Sequence, residues 1–311
     1  MNTPLNSTRP SSGSVFKTVM GTMRPNFLLL SIVVVLLGSA LALYEGATWS
    51  WPLFVLLIMG GVLAHASVNM LNEYQDYLSG LDNLTERTPF SGGSGSLQDN
   101  PQSAPFVYAT IIISLLILIA MGIYFVVLKG WMLLPIGIAG VLVIITYTST
   151  ITRFPWLCLI VPGFAFGPLM VLGTYYVWTG SFSWAAFWVS MVPFFLVNNL
   201  LLLNQFPDLQ ADREIGRHNI LMLLGKRTGA RIFNGFLLLS LLMLLLAVFS
   251  SSLPKTVLIA LIAFLLAVPL FKLVSQHYAT LDKLMPALAM NVIINLLTPL
   301  LMAAGLVWAM I

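Results

Sequence analysis

Long apolar runs alternate with short polar connections along the chain. Nine of these runs hold 19 to 25 residues, and about 20 residues suffice for a helix to cross a bilayer core of about 30 Å. Barrel strands would alternate apolar and polar residues, which these runs do not, so the backbone must satisfy its hydrogen bonds in lipid as helix. The sequence predicts an all-α, polytopic membrane protein with nine transmembrane helices, at 26–44, 52–71, 105–128, 131–149, 156–178, 182–204, 231–252, 256–275 and 286–310.

Composition indicates that lipid, rather than water, surrounds much of the chain. Hydrophobic residues make up 59% of it and charged residues 8%, against about 25% charged residues in soluble domains. The net charge of +4 does not indicate nucleic-acid binding, because the basic residues lie in connections and not on one compact domain. The single cysteine, Cys158, excludes an intramolecular disulfide and a cysteine metal cluster. We expect residues 1–25 to form a cytoplasmic tail ahead of one domain, 26–311.

The distribution of Lys and Arg predicts the orientation of the chain in a cell inner or plasma membrane. With the N-terminus in the cytoplasm, 12 of the 14 basic residues lie inside, and only Lys129 and Lys255 lie outside. An odd number of spans then places the C-terminus outside. Reporter fusions at Asp82 and Lys226 should report a cytoplasmic location, and a fusion at the C-terminus should report the opposite side. A cytoplasmic C-terminus would mean that the span count is wrong by one.

The acidic residues concentrate in two polar connections, 72–104 and 205–230, which hold eight of the ten in the chain. Both connections face the cytoplasm in the predicted orientation. The first begins with Asn72, Asp76 and Asp82, with Gly80 ahead of the last acid. A glycine can end a helix in the left-handed conformation, so we expect Gly80 to let the chain turn and bring Asp82 back toward Asp76.

The second connection places Asn204, Asp208 and Asp212 four residues apart, with Pro207 beside them. On a helix this spacing puts the three side chains on one face. Like charges there repel each other, and a bound cation would reverse the sign of that interaction. Carboxylates together with phosphate oxygens suit Mg²⁺. Carboxylates at the inner ends of two helices therefore predict a magnesium and phosphate site, although solvated loop charges remain the alternative for each Asp taken singly.

Basic and glycine-rich segments near these acids suit a phosphate. Arg can grip phosphate in a bidentate manner, and Lys acts as a point charge. Residues 91–96 could offer backbone N–H groups to an anion, or form a flexible loop. The three histidines are scattered, so a histidine metal triad is not expected. The basic candidates are Arg87, Arg213, Arg217, Lys226 and Arg227, and Tyr147 is a candidate for lining a cavity at the inner end of a span.

These motifs resemble the UbiA superfamily of intramembrane prenyltransferases, along nearly the whole chain. The resemblance implies nine helices around a central cavity, Mg²⁺ as cofactor, and a prenyl diphosphate and an aromatic acceptor as substrates. It implies metal ligation by Asp76, Asp82, Asp208 and Asp212, and catalytic roles for Asp76, Asp208, Arg87 and Lys226. The substrate-binding candidates are Asn72, Asn204, Arg87, Arg217, Lys226, Arg227, Tyr147 and Arg153.

Three details resemble the 1,4-dihydroxy-2-naphthoate prenyltransferases in particular: the long first motif, 72–82, the stretch 166–176, and the second motif, 204–213, with Gly216-Arg217 after it. Pro162-Gly163 and the stretch 149–153 depart from that branch near the expected acceptor region. A hydroxybenzoate, a porphyrin side chain or a glyceryl lipid therefore remain alternative acceptors. Gly163, Gly167 and Gly173 could leave room for a bicyclic ring, or serve helix packing.

Two other function classes are alternatives to prenyl transfer. A secondary transporter predicts internal repeats and charges near span centres. This chain shows no repeat by eye, and its Asp motifs lie at span ends. A phosphatidyl-transfer enzyme would carry an Asp-Gly-Ala-Arg type motif, which the sequence lacks.

Overall fold

The computed structural model describes residues 12–81, 84, 92–250 and 253–311. The described residues form α-helices, short 3₁₀-helices and one π-helical segment joined by turns, and no strand occurs among them, which confirms the predicted all-α class. Asp82 and Arg87, two of the predicted site residues, lie outside this described part. The α-helices are α1 (Ser12–Met23), α2 (Pro25–Tyr44), α3 (Trp51–Ser79), α4 (Ser96–Asp99), α5 (Ala104–Lys129), α6 (Leu134–Thr146), α7 (Pro155–Phe164), α8 (Gly173–Thr179), α9 (Trp184–Glu214), α10 (Ile220–Ser250), α11 (Leu261–Phe264), α12 (Ala267–His277) and α13 (Leu281–Trp308).

The apolar helices correspond one to one with the predicted spans. Within the described ranges, eight helical segments are long and apolar enough to cross a membrane. A ninth, Trp131–Thr146, is apolar but shorter, and it coincides with the predicted span 131–149. The last two long segments are Lys255–His277 and Leu281–Trp308.

Two helices continue well beyond their apolar spans and carry the acidic motifs on their polar ends. Helix α3 runs on to Ser79, and Gly80 ends it with a φ of 76°. This left-handed cap is the one expected at Gly80, because glycine adopts a positive φ without a steric penalty. Helix α9 passes through Pro207 without interruption and ends at Glu214. The second motif is therefore helical throughout, as its four-residue spacing predicts.

The span that contains α7 and α8 is interrupted by a π-helical segment, Ala165–Leu172. The segment follows Pro162 and contains Pro168, neither of which can donate a backbone hydrogen bond. The side-chain carbonyl of Asn198 on α9 accepts the Gly163 N–H at 2.6 Å. Such widened turns often occur at functional sites, and this one forms part of a cavity wall described below.

Two of the three glycines in this span pack against α9 and do not leave room for a ligand. A Cβ at Gly163 would meet the Phe194 backbone, and one at Gly167 would meet the Ser190 backbone. Small residues allow membrane helices to approach closely. Of the three, only Gly173 lines the large cavity described below. The interpretation that all three widen the acceptor space is therefore corrected, because two of them face a neighbouring helix.

Asparagine side chains link the inner helices across the bundle. The Asn199 side chain on α9 donates to the Phe233 carbonyl on α10 at 2.8 Å. Asn291 on α13 donates to the Asn199 carbonyl at 3.2 Å. Between apolar helices the hydrophobic effect contributes little in lipid, so such hydrogen bonds help to fix which helices adjoin. They hold α9, whose inner end carries the second motif, in the middle of the bundle.

Candidate active site

A small polar cavity of about 140 Å³ lies where the inner ends of α3 and α9 meet. Side chains from both acidic motifs line it, together with a basic residue from the turn after α9. The structure therefore brings the two predicted motifs to one place. The predicted residues in its wall are Asn72, Asp76, Tyr147, Asn204, Asp208, Asp212 and Arg217.

The Arg217 guanidinium lies between the two motifs. It pairs with the Asp76 carboxylate on α3, and its Nη1 is 3.5 Å from Asp212 Oδ1 on α9. All three side chains are largely buried. Burial disfavours a charged guanidinium, but the two carboxylates outweigh this effect and raise the pKa of Arg217 above its ordinary value. The cation thus compensates two acidic groups that would otherwise repel each other.

Asn219 fixes the turn that carries Arg217. Its side-chain N–H donates to Asp212 Oδ2 at 3.2 Å. Its side-chain oxygen accepts the N–H groups of Leu221 at 3.1 Å and Met222 at 3.2 Å. This second contact is an N-cap, which satisfies backbone donors at the start of α10. One side chain therefore couples the end of the second motif to the beginning of the next helix.

Glu73 holds the glycine-rich segment against the same cavity. This side chain on α3 is 1% exposed. It accepts the Ser94 N–H at 2.8 Å and the Ser94 hydroxyl at 2.7 Å. Gly92 and Gly93, with φ of 87° and 74°, line the cavity as a result. Successive glycine N–H groups in such turns can bind an anion, so the predicted phosphate loop does reach the acidic motifs.

A larger, mainly apolar cavity of about 380 Å³ adjoins the polar one. Its walls come from the membrane-embedded parts of α2, α3, α5 and α6 and from the π-helical segment. Charged residues are nearly absent from it: Arg24 is the one Lys, Arg, Asp or Glu in its lining within the described ranges. The two cavities share five lining residues and so meet there, namely Arg24, Asn72, Tyr147, Leu201 and Asn204.

Arg24 stands at this junction in an unusual conformation. Its φ of 53° is left-handed, which is uncommon for any residue other than glycine. Its Nε lies 3.8 Å from Glu73 Oε1, and its guanidinium carbon lies 4.7 Å from the centre of the Phe27 ring. The backbone therefore directs a cation toward the boundary between the polar and the apolar space.

The donor set of the polar cavity fits a hard cation such as Mg²⁺. Asp76, Asp208 and Asp212 supply carboxylate oxygens, and Asn72 and Asn204 supply amide oxygens. Mg²⁺ prefers oxygen ligands, keeps several waters and needs only one or two carboxylates beside a phosphate. Within the described ranges, no three His, Cys, Asp or Glu side chains converge closely enough to hold a metal by themselves. The fit therefore rests on shared coordination with a phosphate ligand.

Three predicted substrate-binding residues do not line either cavity. Arg153 is exposed at the end of a short turn. Lys226 is half-buried and Arg227 is exposed, directly after a break in α10 at Gly225. Gly225 has a φ of 81°, so the helix restarts there and the two cations follow the restart. The two cavity walls therefore contain Arg217 and Arg24 as their basic residues in the described part.

The sequence contains signals for several site residues that motif reasoning missed; three of them line a cavity, and Glu73 anchors the glycine-rich segment. Glu73 is an acid adjoining the first motif at the end of an apolar span. Asn219 precedes an apolar run, which is the position of a typical N-cap. Arg24 immediately precedes a proline that opens a span, and Gln205 follows Asn204 directly. Their roles depend on which neighbouring segment they face, so the pattern alone marks them only weakly.

Comparison with known proteins agrees with this architecture. The chain matches the UbiA prenyltransferase family over residues 31–293. It is 26% identical to a 1,4-dihydroxy-2-naphthoate octaprenyltransferase of Bacillus subtilis (strain 168) over 223 residues, 71% of this chain and 70% of the relative.

Solved structures share the fold. A UbiA homologue from Aeropyrum pernix K1 superposes with a TM-score of 0.66 at 16% identity, over 92% of this chain and 98% of that one. A UbiA homologue from Archaeoglobus fulgidus, bound to DMAPP and Mg²⁺, has a TM-score of 0.56 at 14% identity, over 93% and 99%. Because the family match spans most of its length, this chain belongs to the UbiA prenyltransferase family and is an integral-membrane prenyltransferase.

Proposed function

We propose that the enzyme transfers a prenyl group from a prenyl diphosphate to 1,4-dihydroxy-2-naphthoate in a Mg²⁺-dependent reaction. One observation supports a prenyl diphosphate as the donor substrate. A small polar cavity with acidic, basic and amide side chains adjoins a larger apolar cavity at Asn72 and Asn204. A ligand with a compact polyanionic head and a long apolar tail matches both spaces. The apolar cavity also explains why the enzyme is embedded in lipid, where such tails reside.

Asp76, Asp208 and Asp212 are the residues that would hold Mg²⁺ together with the diphosphate. When bound, the metal stabilises negative charge on the departing phosphate oxygen. The A. fulgidus homologue, bound to DMAPP and Mg²⁺, supports Mg²⁺ and a prenyl diphosphate as the ligands. Arg217 contributes a further positive charge in the same wall, and the glycines that Glu73 positions offer N–H donors. These groups are directed to where charge develops and therefore favour the transition state.

The reaction that follows is an electrophilic alkylation. The allylic C–O bond breaks, and the diphosphate leaves with its electron pair. A ring carbon of the acceptor then supplies an electron pair to form the new C–C bond. With a naphthoate acceptor, the carboxyl group on that carbon leaves as carbon dioxide, and its bonding pair restores the aromatic ring. The protein must therefore hold an electron-rich ring close to the head of the prenyl tail.

The chain protects the cationic intermediate in two ways. The apolar walls keep water away from the tail, which would otherwise capture the cation. Tyr147 lies at the junction of the two cavities, close to where the allylic carbon must lie if the diphosphate fills the polar one. An aromatic face there can stabilise a neighbouring cation through its quadrupole.

The choice of acceptor rests on the relatives and on the space available. The B. subtilis relative is named for 1,4-dihydroxy-2-naphthoate, and the long first motif resembles that branch. The apolar cavity is bordered by Gly137 and Gly140 on α6, where an added Cβ would meet no atom within 4 Å. The space left beside these glycines supports an acceptor wider than a single benzene ring.

We expect kcat/KM for 1,4-dihydroxy-2-naphthoate to exceed that for 4-hydroxybenzoate by at least about tenfold, since specificity is a ratio of this kind. Purified enzyme in detergent or nanodiscs would receive one labelled prenyl diphosphate, Mg²⁺ and each acceptor in turn. The Asp208→Asn variant serves as the blank that shows product to be enzyme-dependent. A ratio favouring hydroxybenzoate would reject the naphthoate assignment and leave the prenyltransferase class intact.

A further inference from the structure

A single histidine lies in the wall of the apolar cavity, away from both acidic motifs. His65 on α3 is 7% exposed and lines the cavity. Its Nδ1 is buried and has no hydrogen-bond partner among the described residues. Its ring stands edge-on to Phe166 of the π-helical segment, with 4.8 Å between the ring centres.

An imidazole in this position needs a physical reason. A buried polar atom without a hydrogen bond is unfavourable, and most buried polar groups in proteins are paired. Leucine or valine would fill the same wall without that penalty. The prenyl tail cannot satisfy the imidazole, because a hydrocarbon chain has no donor or acceptor atom. A ligand that carries an oxygen or nitrogen into the apolar space would supply such a partner.

The position of His65 relative to Asn72 indicates which ligand this is. The two residues are seven apart on α3, on the face that lines the cavity. Seven residues of α-helix rise about 10 Å. Asn72 borders the polar cavity, so His65 lies beyond the head of the prenyl tail as seen from the diphosphate. A hydroxylated ring between the two would have one edge at the allylic carbon and an oxygen near His65.

We propose that His65 is the binding residue for a ring oxygen of the aromatic acceptor, with Phe166 beside it as an apolar wall for the ring. This assignment rests on the proposed function for the existence of an aromatic acceptor, and it adds the residue that orients it. The imidazole can donate to or accept from a phenolic hydroxyl through either ring nitrogen. Phe166 belongs to the π-helical segment, and this segment places the Phe166 ring against the His65 ring.

The test separates acceptor binding from donor binding. His65→Leu removes the polar atoms, and His65→Gln keeps a donor and an acceptor. His277→Leu makes the same chemical change on α12, outside both cavity walls. For each variant, KM would be measured for the acceptor and for the prenyl diphosphate. Binding of 1-hydroxy-2-naphthoate without any donor would be followed by its fluorescence in detergent.

His65→Leu should raise the acceptor KM and the probe Kd by about tenfold, the loss that one hydrogen bond to a buried group accounts for. Its donor KM should not change. His65→Gln should stay within about threefold of the wild type by the same reasoning, and His277→Leu should match the wild type. An equal rise in donor and acceptor KM, or an unchanged probe Kd in His65→Leu, would overturn the assignment.

The same measurements separate this proposal from the proposed function. If the wild type turns over no naphthoate, the naphthoate reaction fails, and the probe Kd still decides whether His65 binds a hydroxylated ring. If the wild type binds neither 1-hydroxy-2-naphthoate nor 4-hydroxybenzoate, the acceptor site is rejected and His65 with it. If the wild type prefers hydroxybenzoate, the KM comparison is made with that acceptor and the expected factor is unchanged.

Discussion

Asp208→Asn is expected to lower kcat by about a hundred- to a thousandfold while the protein remains folded, because groups that stabilise developing charge typically contribute that much. Asp208 is on α9 in the wall of the polar cavity. Asparagine keeps its size and one oxygen but removes the negative charge that would hold Mg²⁺ against the diphosphate. The loss falls on the step in which the C–O bond breaks, because interactions made mainly in the transition state govern kcat. Asp76→Asn should act in the same direction.

Asp282→Asn provides the matched control for this prediction. Asp282 is exposed in the first turn of α13, so the same chemical change there should leave kcat near the wild-type value. Release of diphosphate from labelled prenyl diphosphate would be measured with Mg²⁺ and again after chelation with EDTA. Wild-type activity that survives EDTA would contradict the Mg²⁺ dependence. An Asp208→Asn enzyme as fast as Asp282→Asn would contradict the role of Asp208 in holding the metal.

The spans and the acidic motifs follow from the sequence because each depends on local information. A run of 19 or more apolar residues has few alternatives to a membrane helix, whatever lies next to it. The four-residue spacing from Asn204 to Asp212 needs only the geometry of one helix, and α9 has that geometry throughout. Gly80 likewise ends α3 through its own backbone conformation, and its positive φ confirms the predicted helix end.

Features that depend on which helices adjoin could not be predicted in this way. The sequence leaves open whether Gly163 and Gly167 make room for a ligand or pack against a helix, and in the structure they face α9. Glu73 looks like one more acid of the first motif, yet its hydrogen bonds go to Ser94 in a different segment. The sequence pattern does not say which segment a residue contacts. It therefore cannot distinguish a glycine that packs against a helix from one that lines a cavity, or an acid that binds a metal from one that holds a neighbouring segment.

The positions of the basic residues also could not be predicted from the sequence pattern. Proximity in sequence grouped Arg217 with Lys226 and Arg227, and all three became candidates for binding phosphate. In the structure, Arg217 alone of these three lines the polar cavity. The break at Gly225 separates it from the other two. A basic residue that is near a motif in the sequence is thus weak evidence for phosphate binding. A basic residue on a turn beside the motif, as Arg217 is on the turn that Asn219 fixes, is stronger evidence.

The position of Arg217 leads to the second prediction with a large expected effect. Arg217→Gln should destabilise the metal-free enzyme by about 3 kcal/mol, because removing one partner of a buried ionic cluster leaves buried charge uncompensated. Asp76 on α3 and Asp212 on α9 are both nearly buried beside that guanidinium. Without it, their mutual repulsion acts between the two helices. The loss would be read as a lower apparent Tm in EDTA, with tryptophan fluorescence following unfolding in detergent.

Mg²⁺ should reverse part of the decrease in Tm, since a divalent cation between the carboxylates replaces the missing positive charge. Arg213→Gln is the control: Arg213 is exposed near the end of α9, so its loss should change Tm little in either condition. kcat/KM for the prenyl diphosphate should still fall in Arg217→Gln, because the metal cannot also supply the donors that the guanidinium directs at phosphate. An Arg217→Gln protein that melts like Arg213→Gln in EDTA would show that Arg217 does not compensate the motifs. The structure argues against that outcome, because the guanidinium contacts one carboxylate from each motif and is itself largely buried.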